Sequence, residues 1–324
     1  MDAPRSPRRS APFLLGLLAI LAALPLGYFL FLHQPPAPPP VPVVEAPPVV
    51  EAPPPVAPPE KRPLELKLEE IRGTVEVRRG GGEWRTASVG EALHPSDAVR
   101  TREGAYAVII GGEAVEVRME SGAEVSVEVL THSLTRFLLG NGMTTARVDV
   151  GAGQTFEMKA AGSDAEARTE GGTFTMNNNG AGTVSLATLK GEVAFSGQRK
   201  VVIVRAGQQS IIRPGRAPAE PTPIPTSLLL KVNWPAHPRR KVVVSGQTDP
   251  GNQVRVGGRI VPTDEEGRFS QVLPLQEGQN SVKVDAVSVG GLRQEDSRDF
   301  TLDTTPPSVK VDPGIWDDPG SKSP

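Results

Sequence analysis

The 324-residue chain contains no cysteine. This absence excludes disulfide frameworks, thiolate metal sites, cysteine nucleophiles and anchoring through a lipidated N-terminal cysteine. Aromatic residues are also scarce, at 4% of the chain, so few stacking platforms for sugars are expected. Neither sign of charge dominates, because 35 Lys and Arg residues stand against 37 Asp and Glu residues. The balance predicts no nucleic-acid partner, since no basic stripe is available to bind phosphate.

One long apolar run is present, from Phe13 to Leu32, and none of its 20 residues is charged. A helix of this length, at about 1.5 Å per residue, matches the thickness of a bilayer core. Three arginines precede the run, and no Lys or Arg follows it before Lys61. The sequence therefore predicts a single-pass cytoplasmic-membrane protein, with the N terminus in the cytoplasm and the rest in the periplasm or outside the cell. A cleaved signal peptide remains the alternative.

Proline is concentrated directly after this run, with 14 of the 34 prolines between residues 33 and 63. The hexapeptide VVEAPP occurs there twice in tandem. Proline lacks a backbone donor and fixes φ, so the tract predicts a stiff, polyproline-type stalk, with docking of a proline-binding domain as the alternative. A second proline-rich segment separates two folded regions as a linker or hinge. The predicted organisation is a cytoplasmic tail (1–12), a transmembrane helix (13–32), a disordered stalk (33–63), a first β domain (64–215), a linker (216–227), a second β domain (228–304) and a disordered tail (305–324).

Apolar and polar residues alternate with a period of two through most of the chain after Leu66. Glycine-rich breaks interrupt the alternation at intervals typical of an all-β sandwich or barrel. Gly111-Gly112 predicts a two-residue hairpin turn. One stretch is ambiguous, because the apolar residues between Leu130 and Leu138 suit either a short helix or a strand. The predicted fold class is all-β, with a sandwich or a solenoid-like arrangement for the first domain.

An ordered series of short motifs in the first domain resembles the FecR domain, an extracytoplasmic module named for a regulator of iron-citrate transport. The series covers residues 66–215 and comprises Gly73-Thr-Val-Glu-Val77, Gly82-Glu-Trp-Arg85, Val89-Gly-Glu-Ala-Leu93, Asp97-Ala-Val-Arg-Thr101, Tyr106-Ala-Val-Ile-Ile110, Arg168-Thr-Glu-Gly-Gly-Thr-Phe174, Gly191-Glu-Val193 and Gly207-Gln208. Several turns depart from the family pattern: Ser96 replaces a glycine, and two extra residues follow Arg168. These departures affect loops rather than the implied fold.

The signature positions that the resemblance singles out are expected to have structural roles rather than to bind a ligand. Trp84 is expected to close one end of the core, and Asp97 to hydrogen-bond a turn. Gly90 and Gly172 are expected at sites where a side chain would clash. The full set of signature residues is Gly73, Trp84, Gly90, Asp97, Thr101, Gly172, Thr173 and Phe174.

The second domain is similar to bacterial immunoglobulin-like domains. The motifs that carry this resemblance are Ser245-Gly-Gln-Thr-Asp-Pro-Gly251, Asp264-Glu-Glu-Gly-Arg-Phe269, Leu275-Gln-Glu-Gly-Gln-Asn280 and Asp303-Thr-Thr-Pro-Pro307. The resemblance implies a small β-sandwich but not its ligand, because such sandwiches serve many functions.

No pattern in the sequence points to catalysis. The four histidines are isolated from one another, and neither a nucleophile elbow nor a phosphate-binding loop is present. We therefore predict no enzymatic activity, no cofactor and no metal.

The sequence favours a membrane-tethered extracytoplasmic binding or scaffold protein that contacts other envelope proteins, with exposed strand edges as the contact surface. Two alternatives remain open. One is envelope signalling related to FecR regulators; the 12 residues before the span cannot form a sigma-binding domain, so signalling would need a separate membrane partner. The other is binding of cell-wall polysaccharide, which the scarcity of aromatic residues disfavours.

Overall fold

A computed structural model of the chain describes residues 21, 23, 25–30, 65–112, 114–149, 153–236 and 240–305. The chain divides into two compact units, Met1–Glu60 and Lys61–Pro324. In the first unit the described residues are helical and most of their side chains are exposed. Among all described residues, no helix has both the length and the apolar character needed to cross a membrane. The predicted cytoplasmic tail, most of the predicted span, the proline stalk and the tail beyond residue 305 lie outside the described residues.

The second unit is built almost entirely of β-strands, which confirms the predicted all-β class. The strands of the first module, in chain order, are β1 (Leu66–Arg72), β2 (Val75–Arg78), β3 (Trp84–Thr86), β4 (Ala92–Leu93), β5 (Ala98–Thr101), β6 (Tyr106–Gly111), β7 (Val115–Met119), β8 (Glu124–Leu130), β9 (Leu134–Val148), β10 (Thr155–Ala160), β11 (Glu166–Thr169), β12 (Gly172–Asn178), β13 (Val184–Gly197), β14 (Lys200–Arg205), β15 (Gln208–Ile212) and β16 (Thr222–Pro223). Those of the second module are β17 (Leu230–Asn233), β18 (Lys241–Thr248), β19 (Gln253–Val256), β20 (Arg259–Val261), β21 (Arg268–Pro274), β22 (Gly278–Val287) and β23 (Arg293–Leu302).

The first module consists of two sheets that share the long strands β9 and β13. Sheet A has the order β4-β1-β6-β7-β9-β12-β13-β15-β16 and is antiparallel throughout. Sheet B has the order β3-β2-β5-β8-β9-β10-β11-β13-β14, and its β9–β10 pair is parallel. The ambiguous stretch from Leu130 to Leu138 is the end of β8, a three-residue loop and the start of β9, so it contains no helix. The hairpin predicted at Gly111 is present as β6–β7, but residues 112–114 separate its strands.

Residues with a positive φ angle lie where the chain passes from one of these sheets to the other. Between β4 and β5 this residue is Ser96, at 74°. At seven other crossings it is a glycine, with a φ angle between 69° and 142°. A side chain at Gly142 would collide with the neighbouring corner, since a Cβ atom there would lie 2.7 Å from the Cα of Ala123. We call this set the corner glycines: Gly73, Gly104, Gly122, Gly142, Gly172, Gly191 and Gly207.

The core of the first module lies between sheets A and B and includes a group of fully buried phenylalanines. The rings of Phe137 and Phe156 have centroids 5.7 Å apart, and those of Phe156 and Phe174 are 6.0 Å apart. Phe195 is likewise fully buried. Each sits at an inward position of an alternating strand, so burial of these rings follows from the sequence period.

The second module is a smaller sandwich with its own core. One sheet has the order β17-β18-β21 and the other β20-β19-β22-β23. Val244, Val254, Val256 and Val284 are completely buried between them. Trp234 packs on Phe300 at the margin of this core, with ring centroids 6.0 Å apart.

The segment predicted to be a linker or hinge is ordered along the edge of sheet A. Strand β16 within it pairs with β15, and the Ile224 N–H donates to the Gly207 carbonyl at 2.9 Å. Ile224 also packs beside a small buried cluster formed by Met143, Ala187 and Val289. This cluster joins residues of both modules, so the segment is part of a packed junction and not a free hinge.

The junction places turns of the second module on the outer face of sheet A. The outward side chains of β12 and β13 are small and polar there, and they are buried: Asn177 and Ser185 are 1% and 5% exposed. Both donate to the carbonyl of Gly251, at 3.0 and 2.6 Å. Sheet A is therefore covered on both faces at this position, by its own core and by the second module.

Candidate functional site

Four of the signature residues lie in the core or at the corners of the first module. Gly73 and Gly172 are corner glycines, and Phe174 is fully buried on β12. The Thr101 hydroxyl donates to the Glu120 carbonyl at 2.6 Å and accepts from the Ala123 N–H at 2.9 Å. Thr173 is half-buried between Gly172 and Phe174. None of these side chains is presented to solvent as a binding group.

Asp97 organises a charged cluster next to β4. It is 4% exposed and accepts hydrogen bonds from the His94 N–H at 2.9 Å, the Gly80 N–H at 3.3 Å and the Arg79 guanidinium. Burial alone would raise the pKa of Asp97, but the bonds from His94 and Arg79 outweigh burial and lower that pKa. Arg79 also donates to Glu91 at 2.7 Å. The cluster ties a loop to the sheet.

Gly90 and Trp84 lie beside this cluster on the surface of the first module. Gly90 has a φ of +80°, although a Cβ atom there would meet nothing within 4 Å, so backbone conformation accounts for the glycine. Trp84 is half-buried on edge strand β3 and does not belong to the core, where it was expected. The guanidinium carbons of Arg78 and Arg100 lie 4.6 and 4.1 Å from its ring centroid. These cation–π contacts occupy the ring surface that a sugar would need.

The outer face of sheet B carries charges that neutralise one another across neighbouring strands. Glu157 on β10 is 4% exposed and lies between Arg136 of β9 and Arg168 of β11 in the strand register. Arg136 pairs with Glu157 at 2.6 Å, and Arg168 approaches it at 3.6 Å. The hydrogen bond to Glu157 raises the pKa of Arg136. Both guanidinium groups are thus engaged by one carboxylate of the strand between them.

Strand β14 is the edge of sheet B and is the most exposed apolar strand of the first module. Its side chains Val201 and Ile203 are 59% and 40% exposed. Within the described part of the chain, β14 pairs only with β13. The pair closes at Gly197 and Lys200 around a two-residue turn, so the N–H and C=O groups of Val201 and Ile203 point away from β13. The outer edge of β14 is thus available to another strand.

The other edge strands of the first module are too short to pair well with an added strand. Strands β4 and β16 are each two residues long, and β16 contains Pro223. Strand β3 has three residues. Strand β14 has six residues and exposed β-branched side chains, so it is a more effective template for strand pairing than β3, β4 or β16.

A second candidate is a cleft of about 360 Å³ at the junction. Its walls come from β15, the linker and two turns of the second module, and include Arg213, Glu220 and Asp249. Asp249 is already engaged, because its carboxylate accepts the Leu229 N–H at 2.9 Å. The cleft brings charges of both signs together but no pair suited to acid–base catalysis.

Nothing in the described residues resembles a metal centre. No group of three or more His, Cys, Asp or Glu side chains among them could hold an ion. Of the histidines, His94 is exposed and contacts Arg79, and His132 is exposed on the turn before β9. His33 and His237 lie outside the described residues.

Sequence reasoning identified residues 201–204 as a strand but not as an edge. The turn that precedes β14 is Gln198-Arg199, and both residues have positive φ angles, 49° and 60°. This turn lacks the Asn-Gly or Gly-Gly pair by which a tight hairpin is recognised. The apolar run from Val201 to Val204 also gives no indication that one of its faces is exposed.

Comparison with known proteins gives only distant likenesses. No family model and no curated protein sequence matches the chain. Two crystal structures of a proposed anti-sigma factor from Parabacteroides distasonis share 14% and 13% identity with it, each over 38% of this chain and 59% of that chain, with TM-scores of 0.33. A polysaccharide lyase shares 11% identity over 75% of this chain and 40% of its own, with a TM-score of 0.19. The chain thus spans less than two thirds of these structures, and likenesses this remote carry no argument about function.

Proposed function

We propose that this protein is a membrane-tethered extracytoplasmic binding protein without enzymatic activity, and that it acts by adding a strand of another envelope protein to β14. The apolar run at residues 13–32 would anchor it in the cytoplasmic membrane, and the proline tract would hold the two β modules away from the surface. The exposed edge of β14 is the observation that carries the proposal. It offers main-chain hydrogen bonds for affinity and two apolar side chains for specificity.

The charges at the ends of β14 indicate the chemistry of its partner. Lys200 and Arg205 flank the apolar residues, and no acidic residue lies within the strand. Antiparallel pairing of two copies with Val201 opposite Ile203 would bring Arg199 of one beside Arg205 of the other, and like charges in opposed positions destabilise a sheet. Lys200 already pairs with Glu220 at 2.6 Å. The occupant we infer is therefore an extended segment with apolar residues at alternate positions and an acidic residue near Arg205.

Site-specific photocrosslinking in the native membrane tests this assignment. A benzoylphenylalanine placed at Ile203 of the full chain should crosslink to such a segment of another protein, identified by mass spectrometry of the joined peptides. The substitution Val201→Lys should strongly reduce the product, because lysine on an edge opposes pairing.

Val243 supplies the matched control. It is 53% exposed, close to Val201 at 59%, but it lies on β18, the middle strand of its sheet. A probe at Val243 should not yield the same peptide, and Val243→Lys should leave the Ile203 product unchanged. Equal labelling from both positions would show that exposure alone drives the reaction. If Ile203 crosslinked only to the proline tract of this chain (residues 33–63) or to a second copy of it, the proposal that another envelope protein binds β14 would be wrong.

A further inference from the structure

A small cavity of about 20 Å³ lies in the junction, between residues of both modules. Asn177 and Asn178 of β12 line it from the first module, and Gln253 and Thr263 line it from the second. This volume is sufficient for one water molecule, which needs about 10–15 Å³.

Three polar side-chain atoms of the cavity residues have no hydrogen-bond partner in the described part of the chain. They are Asn177 Oδ1, Gln253 Nε2 and Thr263 Oγ1, and all three atoms are buried. Their residues are 1%, 5% and 3% exposed. A buried polar atom left unbonded costs about 1–3 kcal/mol, so three at one place would be a substantial penalty.

The surrounding hydrogen bonds fix the orientation of the Asn177 amide and the position of Thr263. Asn177 Nδ2 donates to the Gly251 carbonyl at 3.0 Å, so exchanging its amide atoms would bring two oxygens together. Asn179 Nδ2 donates to the Thr263 carbonyl at 2.9 Å and holds the residue that carries the third atom. The unbonded Oδ1 of Asn177 is therefore a property of the packed junction and not of an arbitrary amide assignment.

We propose that this cavity is a binding site for one ordered water molecule, shared by the two modules. The water would donate a hydrogen bond to Asn177 Oδ1 and accept one from Gln253 Nε2. Its third hydrogen bond would be to the Thr263 hydroxyl, which can act as donor or acceptor. Three such bonds are the usual number for a buried water. A metal cation does not fit, because none of the three groups is charged and hard cations in proteins are held mainly by carboxylates.

Ligation from both sides makes the water part of the contact between modules. Removing one ligand should weaken the junction rather than either core. This inference is independent of the strand-addition proposal, because the junction lies on sheet A and β14 is an edge of sheet B.

A crystal structure of the full chain in detergent, at a resolution that shows waters, provides the direct test. We expect one density peak within hydrogen-bond distance of the three atoms. A direct hydrogen bond between Asn177 Oδ1 and Gln253 Nε2, with no peak in the cavity, would overturn the proposal.

The substitution Thr263→Val gives a second test, in which the direction of the change in melting temperature distinguishes the two outcomes. If Thr263 Oγ1 bonds the water, its loss should lower the melting temperature of the full chain by about 2–4 °C. Thr188→Val is the matched control, since Thr188 Oγ1 is also buried without a partner among the described residues but does not line this cavity. Replacing a truly unbonded hydroxyl by a methyl is neutral or stabilising. The water site is refuted if Thr263→Val behaves in that way too.

Discussion

Alanine substitutions at two corner glycines allow two destabilising effects to be measured separately: a steric clash of the new Cβ atom, and the strain of a positive φ angle in a residue other than glycine. Gly142 and Gly207 both lie at sheet crossings, with φ angles of +85° and +80°. An alanine at either position pays about 1–2 kcal/mol for a positive φ. Only Gly142 is crowded: its Cβ would lie 2.7 Å from Ala123 Cα and 2.9 Å from the Gly122 carbonyl oxygen, whereas at Gly207 nothing lies within 4 Å.

Carbon atoms in good contact are about 3.5–4.0 Å apart, so alanine at Gly142 would overlap its neighbour by about 1 Å. The neighbour is backbone in an adjacent corner and cannot rotate away. Overpacking of this kind costs about 1–3 kcal/mol. We therefore expect Gly142→Ala to destabilise the protein by about 3–5 kcal/mol in total and Gly207→Ala by about 1–2 kcal/mol.

Thermal unfolding of the full chain in detergent, followed by circular dichroism in the β region, measures the difference. At about 3 °C per kcal/mol, Gly142→Ala should lower the melting temperature by about 10 °C and Gly207→Ala by about 4 °C. Equal shifts would mean that the corners do not pack against one another as described. A larger shift for Gly207→Ala would refute the reasoning outright.

Two further predictions concern the signature residues. The pKa of Asp97 is lowered in the folded protein because the bonds from His94 and Arg79 outweigh burial; its stabilising effect is therefore present above the unfolded-state pKa, near 4, and lost as the pH falls through the lower folded-state pKa. Asp97→Asn should flatten this part of a stability–pH profile, and an unchanged acid limb would contradict the assignment. Trp84→Ala should cost about 1–2 kcal/mol, the worth of two exposed cation–π contacts, whereas Phe174→Ala should cost about 3–5 kcal/mol as a core truncation. Comparable losses in denaturant unfolding would place Trp84 in the core after all.

The glycine-rich breaks illustrate what sequence reasoning can and cannot resolve. Glycine with a positive φ serves a hairpin turn as well as a passage between sheets, and the two uses look alike along the chain. Gly112, with a φ of +57°, lies in the turn of the β6–β7 hairpin, whereas Gly104 and Gly122 on either side of it carry the chain from one sheet to the other. Which use applies depends on the neighbouring strands, and these come from distant parts of the sequence.

The proline-rich segment between the modules shows the same limit. Its composition predicts a hinge because proline cannot contribute a full ladder of hydrogen bonds. A short strand nevertheless forms at Thr222–Pro223, since Thr222 can still pair with Gln209 of β15. The buried contacts of Ile224 hold the segment in place. Only the packing of both modules decides whether such a segment is free or fixed.

The sequence alone determined the features that depend on local periodicity and composition. Alternation placed the strands, and the inward positions of those strands gave the core, including Phe156 and Phe174. Balanced charge and the absence of cysteine limited the classes of partner and chemistry.

The tertiary structure decided which strand became the exposed edge, where the modules meet and which polar groups are buried between them. Val201 is exposed although its neighbour Val202 is buried, and Asn177 is buried although asparagine usually lies at the surface. Both outcomes depend on which element covers a given face. Local sequence sets the direction of a side chain relative to its strand, but the environment that it meets is set by residues far away in the chain.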